Sequence, residues 1–461
     1  MLLCLQWLFP VVAKAGEDIL TITRNAGYEV LDKNKPVSSI VIEADTGQIL
    51  WEQDIDIPRN PASLTKVMSV LLAYDAISEG LFTLDTQVVA TDEDSAISKI
   101  WAISNNTIVS GVDYSVRDLL LLTLVPSSNV ATLMLTRLIE ADDRVFLDKM
   151  NAKAQELGMN HTYFNNMSGA AASVFNGYYL PEGYDSTQEN TTTARDLAIM
   201  TYHLLKKYPE ILGFTKDISV TTKKGTPYEE TFEAYNHSLP GGKYGFDGVD
   251  GLKTGSSPMA DFNYIATAKQ GDTRLIEVVL GVGEWSDQEG EYYRHPFGNA
   301  IFQYVFDRFE RRKILNKGKN VINGQNIVLE EDFYATVEKG GEVAVELKDG
   351  LIQTVATREL VSEKLSPSYL GFKVDEAQEI EEEKEKKVAG DSTNGSNNKS
   401  LISITFAFTG ILFIFLYLRK VRTRENVSTR SERKKRLSFL TLAYLPIGCV
   451  LILYGFLHYF L

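Results

Sequence analysis

Ser63 stands three residues ahead of Lys66 near the head of NPASLTKVMSVLLAYDAI, residues 59–76, a pairing that could do nucleophilic chemistry. A serine hydroxyl is a poor nucleophile at neutral pH and needs a base within hydrogen-bond reach. Leu64, Val67, Met68, Leu71 and Leu72 recur at helical spacing behind Pro61, so the segment predicts a helix starting near Ser63. Ser63 and Lys66 then share one face, a turn apart. Lys66 can serve as the base only when neutral, and burial or a second cation nearby would depress its pKa. A helix start also aims backbone N–H groups at a developing oxyanion. A capping serine beside a surface lysine would give the same letters. Ser-x-x-Lys recurs at 396–399 and 431–434 in polar tracts, so the pair needs further residues to mean chemistry.

Two more short motifs supply them. Ser127-Ser128-Asn129 falls on the break between the apolar helical runs VRDLLLLTLV and VATLMLTRLIE, and Lys253-Thr254-Gly255 opens a strand after Gly251. A short polar connection between buried helices is where a rigid scaffold can present side chains to a cleft. Lys253 would be the second cation, and the glycines around it allow another backbone to approach. An extended peptide could lie along that strand as an added strand. Histidine chemistry competes poorly: His161, His203, His237 and His295 stand without a His-Glu-x-x-His or a Gly-x-Ser-x-Gly and read as packing or surface residues.

The elements that must position these residues are mixed. SSIVIEADTGQILWEQDID predicts two strands around a turn at 45–48, residues 115–157 are dominated by helices, and TTARDLAIMTYHLLKKY predicts another. GVDGLKTGSS, FNYIATAK and RLIEVVLGV return to strands before a helix around PFGNAIFQYVFDRFERRKIL. Strands at both ends with helices between them give an α+β domain over 17–312, an antiparallel sheet with an inserted helical lobe. Residues 314–373 alternate in short runs with Gly-Gly and Asp-Gly turns and predict a small all-β domain. Residues 375–400, charged and then small and polar, read as a tether.

Composition bounds the rest. With 44% hydrophobic residues the chain can bury a sizeable core, and a net charge of -14 argues against a nucleic-acid surface spread over the molecule. Residues 401–418 and 437–461 carry no Asp, Glu, Lys or Arg and predict a transmembrane hairpin. The connector 419–436 holds nine Lys or Arg against two Glu, which places it in the cytoplasm and residues before 401 outside the membrane. Residues 1–15 close on Ala13-Lys14-Ala15 and read as a signal peptide. Cys4 and Cys449 both fall in apolar end segments, so no disulfide, Cys-metal site or other cofactor is expected.

Ser-x-x-Lys, Ser-x-Asn and Lys-Thr-Gly, in that order on helix start, helix break and strand, form the signature set of penicillin-binding proteins and serine β-lactamases. With ADTGQILWEQDID, NPASLTK, PSSNVA, LGMNHTYFNNMSGA, TTARDLAIM and GVDGLKTGSS also in sequence, residues 30–373 resemble a low-molecular-mass penicillin-binding protein of the serine-type D-Ala-D-Ala carboxypeptidase family. The resemblance implies a β-lactamase/transpeptidase-like fold and an acyl-Ser63 intermediate formed with Lys66 as base. It further implies Ser127 as a proton relay from Lys66 to the leaving amine and Asn129 as a hold on the substrate amide. Lys253, Thr254 and Gly255 would bind the terminal carboxylate, and the Ser256 amide would be the second oxyanion donor. Substrates would be peptidoglycan stem peptides ending in D-Ala-D-Ala, with β-lactams as covalent inhibitors and the catalytic domain outside a bacterial cell membrane.

Three features depart from the family pattern. The middle motif is Ser-Ser-Asn where Ser-Gly-Asn is more frequent, LGMNHTYFNNMSGA lacks a Pro-His-Gly ending, and the hairpin replaces a single amphipathic anchor. Rival readings are a β-lactamase or transpeptidase of the same fold, and a sensor or wall tether that acylates without turnover. The absence of a Glu-x-x-Leu-Asn loop counts against the class A β-lactamase, and the absence of His-Glu-x-x-His against the sensor.

Overall fold

A computed structural model describes residues 17–355, 358–365 and 370–374. The predicted signal peptide, the tether and the transmembrane hairpin lie outside the described residues, among which no helix is long and apolar enough to cross a membrane.

All six positions of the strand Ser38–Glu43 are buried, as a strand covered on both faces requires. It lies second in a five-stranded sheet ordered Ile49–Gln53, Ser38–Glu43, Thr273–Val282, Asp261–Gln270 and Val249–Ser257, antiparallel throughout. Ser38 faces Leu280 and Glu43 faces Leu275, so the two early strands close onto the three late ones. The α+β architecture predicted from the sequence is therefore present. Alternation along Thr273–Val282 feeds two cores. Ile276, Val278 and Leu280 pack into the helical lobe built by Lys66–Ser78, Val116–Leu124, Asn129–Ile139, Asp143–Leu157 and Ala194–Lys207. Leu275, Val279 and Val282 join the opposite layer with Ile19–Asn25 and Gly290–Arg308.

Local chemistry sets the lobe's helix ends. Ser115 and Asp118 form a reciprocal capping box, Asp142 accepts from Arg144 and Val145, and Gly158 closes the following C-terminus in the left-handed region. The last helix corrects the sequence reading, which placed it around 296–315. It runs from Gly290 to Arg308, and Phe309–Leu315 is a strand paired with Phe333–Glu338. Pro296 lies inside the helix and removes one backbone bond. Burial of Phe297, Ile301, Phe302, Val305 and Phe306 outweighs that loss.

The following β domain is a five-stranded sheet ordered Gly318–Ile322, Gln325–Leu329, Leu370–Val374, Leu351–Thr354 and Val345–Lys348, over a small core of Ile322, Ile327, Leu329, Phe333 and Ile352. One segment does not stay there. Glu359 and Val361 hydrogen-bond to Ile49 and Gly47, and Val361 is fully buried in the lobe's core. This segment pairs with the chain at Gly47–Ile49, covering the start of the outer edge of Ile49–Gln53.

Glu277 interrupts the opposite layer. It lies on Thr273–Val282 between Val41 and Ala266, fully buried, with neither carboxylate oxygen hydrogen-bonded. Gly298 makes room for it, since a Cβ there would stand 2.5 Å from Oε2. Burial pushes its pKa well above the ordinary value of 4.5. The folded state therefore holds this proton more tightly than the unfolded chain, and stability falls as pH rises from the free towards the buried value. That slope is roughly 1.4 kcal/mol per pH unit. Glu277→Gln should raise the melting temperature at pH 8 by several degrees, with the gain shrinking towards pH 4; a gain independent of pH would show that the carboxyl is not the cause.

Candidate active site

Ser63 lies on a tight turn, Ala62–Thr65, that leads directly into the helix Lys66–Ser78. Asn60 Oδ1 accepts from the Ala62 amide at 2.7 Å, and Ala62 takes a φ of 47°, which a side-chain-bearing residue adopts only under constraint. Two glycines press on this turn. At Gly255 a Cβ would meet Pro61 O at 2.8 Å and Leu64 N at 2.9 Å, so the Lys253 strand abuts the Ser63 turn backbone to backbone. At Gly169, with φ 88°, a Cβ would lie 1.9 Å from Ala62 O. The sequence reading left the stretch around Met167-Ser168-Gly169 without a role, and the structure sets it directly against the Ser63 turn. Asn166 Oδ1 accepts from Gly169 N at 2.6 Å, and Asn190 ties Asn166 to Thr65.

Residues Lys66 through Ala76 are all buried, and a helix buried on every side carries Lys66 into the interior with it. Its Nζ lies 3.1 Å from Ser63 Oγ, 2.9 Å from Asn129 Oδ1 and 2.6 Å from Ser168 O. Those are three polar contacts and no carboxylate. Burial, and next the charge of Lys253, hold its pKa well below the usual lysine range. A neutral amine fits the contacts, donating to Asn129 and Ser168 and accepting from the Ser63 hydroxyl.

Lys253 is equally buried, and its Nζ donates to Ser127 Oγ at 2.9 Å and to Thr254 O at 2.7 Å. Burial and then Arg294 push its pKa down to about 7. Ser127 sits at φ 61° and is therefore the constrained residue of the middle motif. Ser128, where the family more often has glycine, has extended backbone and caps the helix Asn129–Ile139 by accepting from Ala131. Asn129 differs from the sequence expectation: Oδ1 accepts from Lys66 and Nδ2 donates to Ser104 O, so its amide is engaged within the protein.

The cleft above these groups measures about 190 Å³ and is lined by Ser63, Ser104, Ser127, Thr254, Gly255 and Ser256, closed by Tyr235, Trp285 and Arg294. A larger hollow of about 440 Å³ between Gln48 and Arg358 contains none of the motif residues. Thus Ser63, Ser127, Thr254, Gly255 and Ser256 converge on one cleft, with Lys66 and Lys253 beneath. Arg294 was missed in the sequence, where an arginine in an amphipathic helix carries no motif. Its fully buried guanidinium donates to Ser256 Oγ at 3.0 Å, and burial lowers its pKa to about 10. His295, read as a packing residue, is fully buried and accepts from Arg294 Nε at 3.4 Å.

Comparison with known proteins gives a consistent picture. The family described as D-alanyl-D-alanine carboxypeptidase matches residues 29–284, and a domain of unknown function matches residues 311–372. The D-alanyl-D-alanine carboxypeptidase DacF of Bacillus subtilis is 27% identical over 284 residues, covering 62% of this chain and 65% of that protein. DacD of Escherichia coli, of the same description, is 30% identical over 292 residues, covering 62% and 66%. The chain thus spans slightly less than two thirds of the length of these relatives. Among solved structures, a peptidoglycan synthesis regulatory factor (PBP3) from Streptococcus pneumoniae superposes with a TM-score of 0.64 at 27% identity, covering 74% of this chain and 98% of that one. Penicillin binding protein 6B from Escherichia coli gives 0.55 at 26%, covering 72% and 95%.

The contact between Gly169 and Ala62 yields a test. Gly169→Ala should force the Ser63 turn aside and slow acylation of Ser63 by a fluorescent penicillin about 100-fold. An unchanged rate in a folded variant would mean that the loop does not hold the nucleophile in place.

Proposed function

The chain belongs to the D-alanyl-D-alanine carboxypeptidase family, and from that premise we propose that it removes the terminal D-alanine from peptidoglycan stem peptides through an acyl-Ser63 intermediate. The observation that carries this reading is the Lys66–Ser63 contact at 3.1 Å, made by a buried amine with no carboxylate partner. Lys66 takes the Ser63 proton as Oγ attacks the penultimate carbonyl. The backbone N–H groups of Ser63 and Ser256 flank the oxyanion. Ser127 relays the proton from Lys66 to the departing D-alanine nitrogen, which returns Lys66 to the neutral amine, while Lys253, whose Nζ donates to Ser127 Oγ, holds the relay in place. Thr254, Lys253 and the Ser256–Arg294 pair take the terminal carboxylate, with the peptide extended along Val249–Ser257. Water then enters where D-alanine leaves and hydrolyses the ester, with Lys66 again the base.

The β-lactam adduct follows a different course, because its leaving group stays attached and blocks water. Among the described residues lining the cleft, the carboxylate belongs to Glu291 on the Arg294 side. Nothing there matches a deacylating base beside Ser63. The apolar runs 401–418 and 437–461 around a basic connector support an enzyme anchored in a bacterial membrane, with the catalytic domain outside and residues 375–400 as its tether.

Membranes from cells producing the full chain provide the test. D-alanine release from a pentapeptide ending in D-Ala-D-Ala should sediment with the membrane and turn over many times. Penicillin should label Ser63 and persist far longer than the peptide acyl-enzyme. Label on Ser127 or Ser256 would move the nucleophile, activity left in the supernatant would remove the anchor, and penicillin hydrolysis as fast as peptide hydrolysis would make the protein a β-lactamase.

A further inference from the structure

Of the three basic side chains buried at this cleft, Lys66, Lys253 and Arg294, Arg294 alone is held against a carboxylate. Glu291, one turn earlier on Gly290–Arg308, places Oε1 3.4 Å from Arg294 Nη2 and lines the cleft beside Ser256. The guanidinium is fully buried, whereas the Glu291 side chain is 30% exposed. The remaining contacts of Arg294 are fixed in the protein: Nε on His295, and Nη1 on Ser256 Oγ and Asn263 O. A guanidinium has five N–H donors. Four are committed here, and one of those four is spent on Glu291.

We propose that Glu291 is a displaceable occupant of the terminal-carboxylate subsite, a specificity-determining residue that holds Arg294 Nη2 while the cleft is empty and gives way when the substrate carboxylate arrives. The proposal rests on the carboxypeptidase reading, which assigns Arg294 to that carboxylate. With Glu291 in place, Nη2 offers a substrate one N–H, and when Glu291 leaves it offers both, freed of a competing carboxylate. An empty subsite would otherwise leave the Arg294 guanidinium buried with no counter-ion, an arrangement that costs free energy. Exposure in the first turn of its helix lets the Glu291 side chain swing into water without disturbing the Arg294 anchors. Even then its charge opposes a second carboxylate nearby. The consequence is a moderated grip on any ligand with a free C-terminus, including the D-alanine product, which can then leave and admit water.

The full chain and its Glu291→Gln variant are to be assayed on an N-acyl-D-alanyl-D-alanine peptide and on the same peptide with a C-terminal amide. The variant should raise the acid-to-amide ratio of kcat/KM about fivefold, through a lower KM for the acid, and should bind D-alanine more tightly by a similar factor. An unmoved ratio in an enzyme that prefers the acid overturns the proposal alone, and so does a lower ratio, which would make Glu291 a support for Arg294 rather than a competitor. A wild-type enzyme indifferent to the terminal carboxylate overturns both the proposal and the reading beneath it.

Discussion

An ammonium group taken out of water without a counter-ion costs several kcal/mol, and proteins usually avoid the cost by neutralising the group. Lys66 is held in that condition. Its helix is buried from Lys66 to Ala76, its three contacts are a hydroxyl, an amide oxygen and a backbone carbonyl, and the nearest charge that bears on it is another lysine. A carboxylate in place of Asn129 would restore the ammonium. The neutral partners around Lys66 are therefore as much part of the chemistry as the amine.

The fold supplies this environment from distant stretches of chain. Thr273–Val282 anchors both cores, so the edge strand carrying Lys253 is fixed relative to the lobe helix carrying Lys66. Gly255 and Gly169 let two backbones close on the Ser63 turn where any side chain would collide. Arg294 reaches the same cleft from the opposite layer, passing between Ser256 and His295. Rigid packing around the turn is what keeps Ser63 Oγ 3.1 Å from Lys66 Nζ.

Much of this was legible in the sequence because it is carried by local letters. Ser63, Lys66, Ser127 and Lys253 stood out through the order of their three motifs on helix start, helix break and strand, and the sheet from both ends followed from the order of the strand runs. Arg294 did not, since its role depends on a helix crossing the back of the sheet, which no local pattern encodes. The Ser168 carbonyl was invisible for a related reason: a backbone acceptor has no letter of its own. Pro296 misled the start of the last helix, because a proline reads as a helix entrance and here sits in its second turn. The segment around Val361 read as part of the β domain, yet its apolar side chain finds a place in the larger core.

The claim on which the account rests is that Lys66 is a neutral amine when the enzyme works. Lysine side-chain NMR of the protein labelled with carbon-13 at Cε, with Lys66→Ala to assign the signal, measures this directly. The account predicts that Lys66 titrates well below the usual value near 10.4 and is uncharged at neutral pH. A Lys66 signal that stays in its protonated position to pH 9 would contradict it and leave Ser63 without its base.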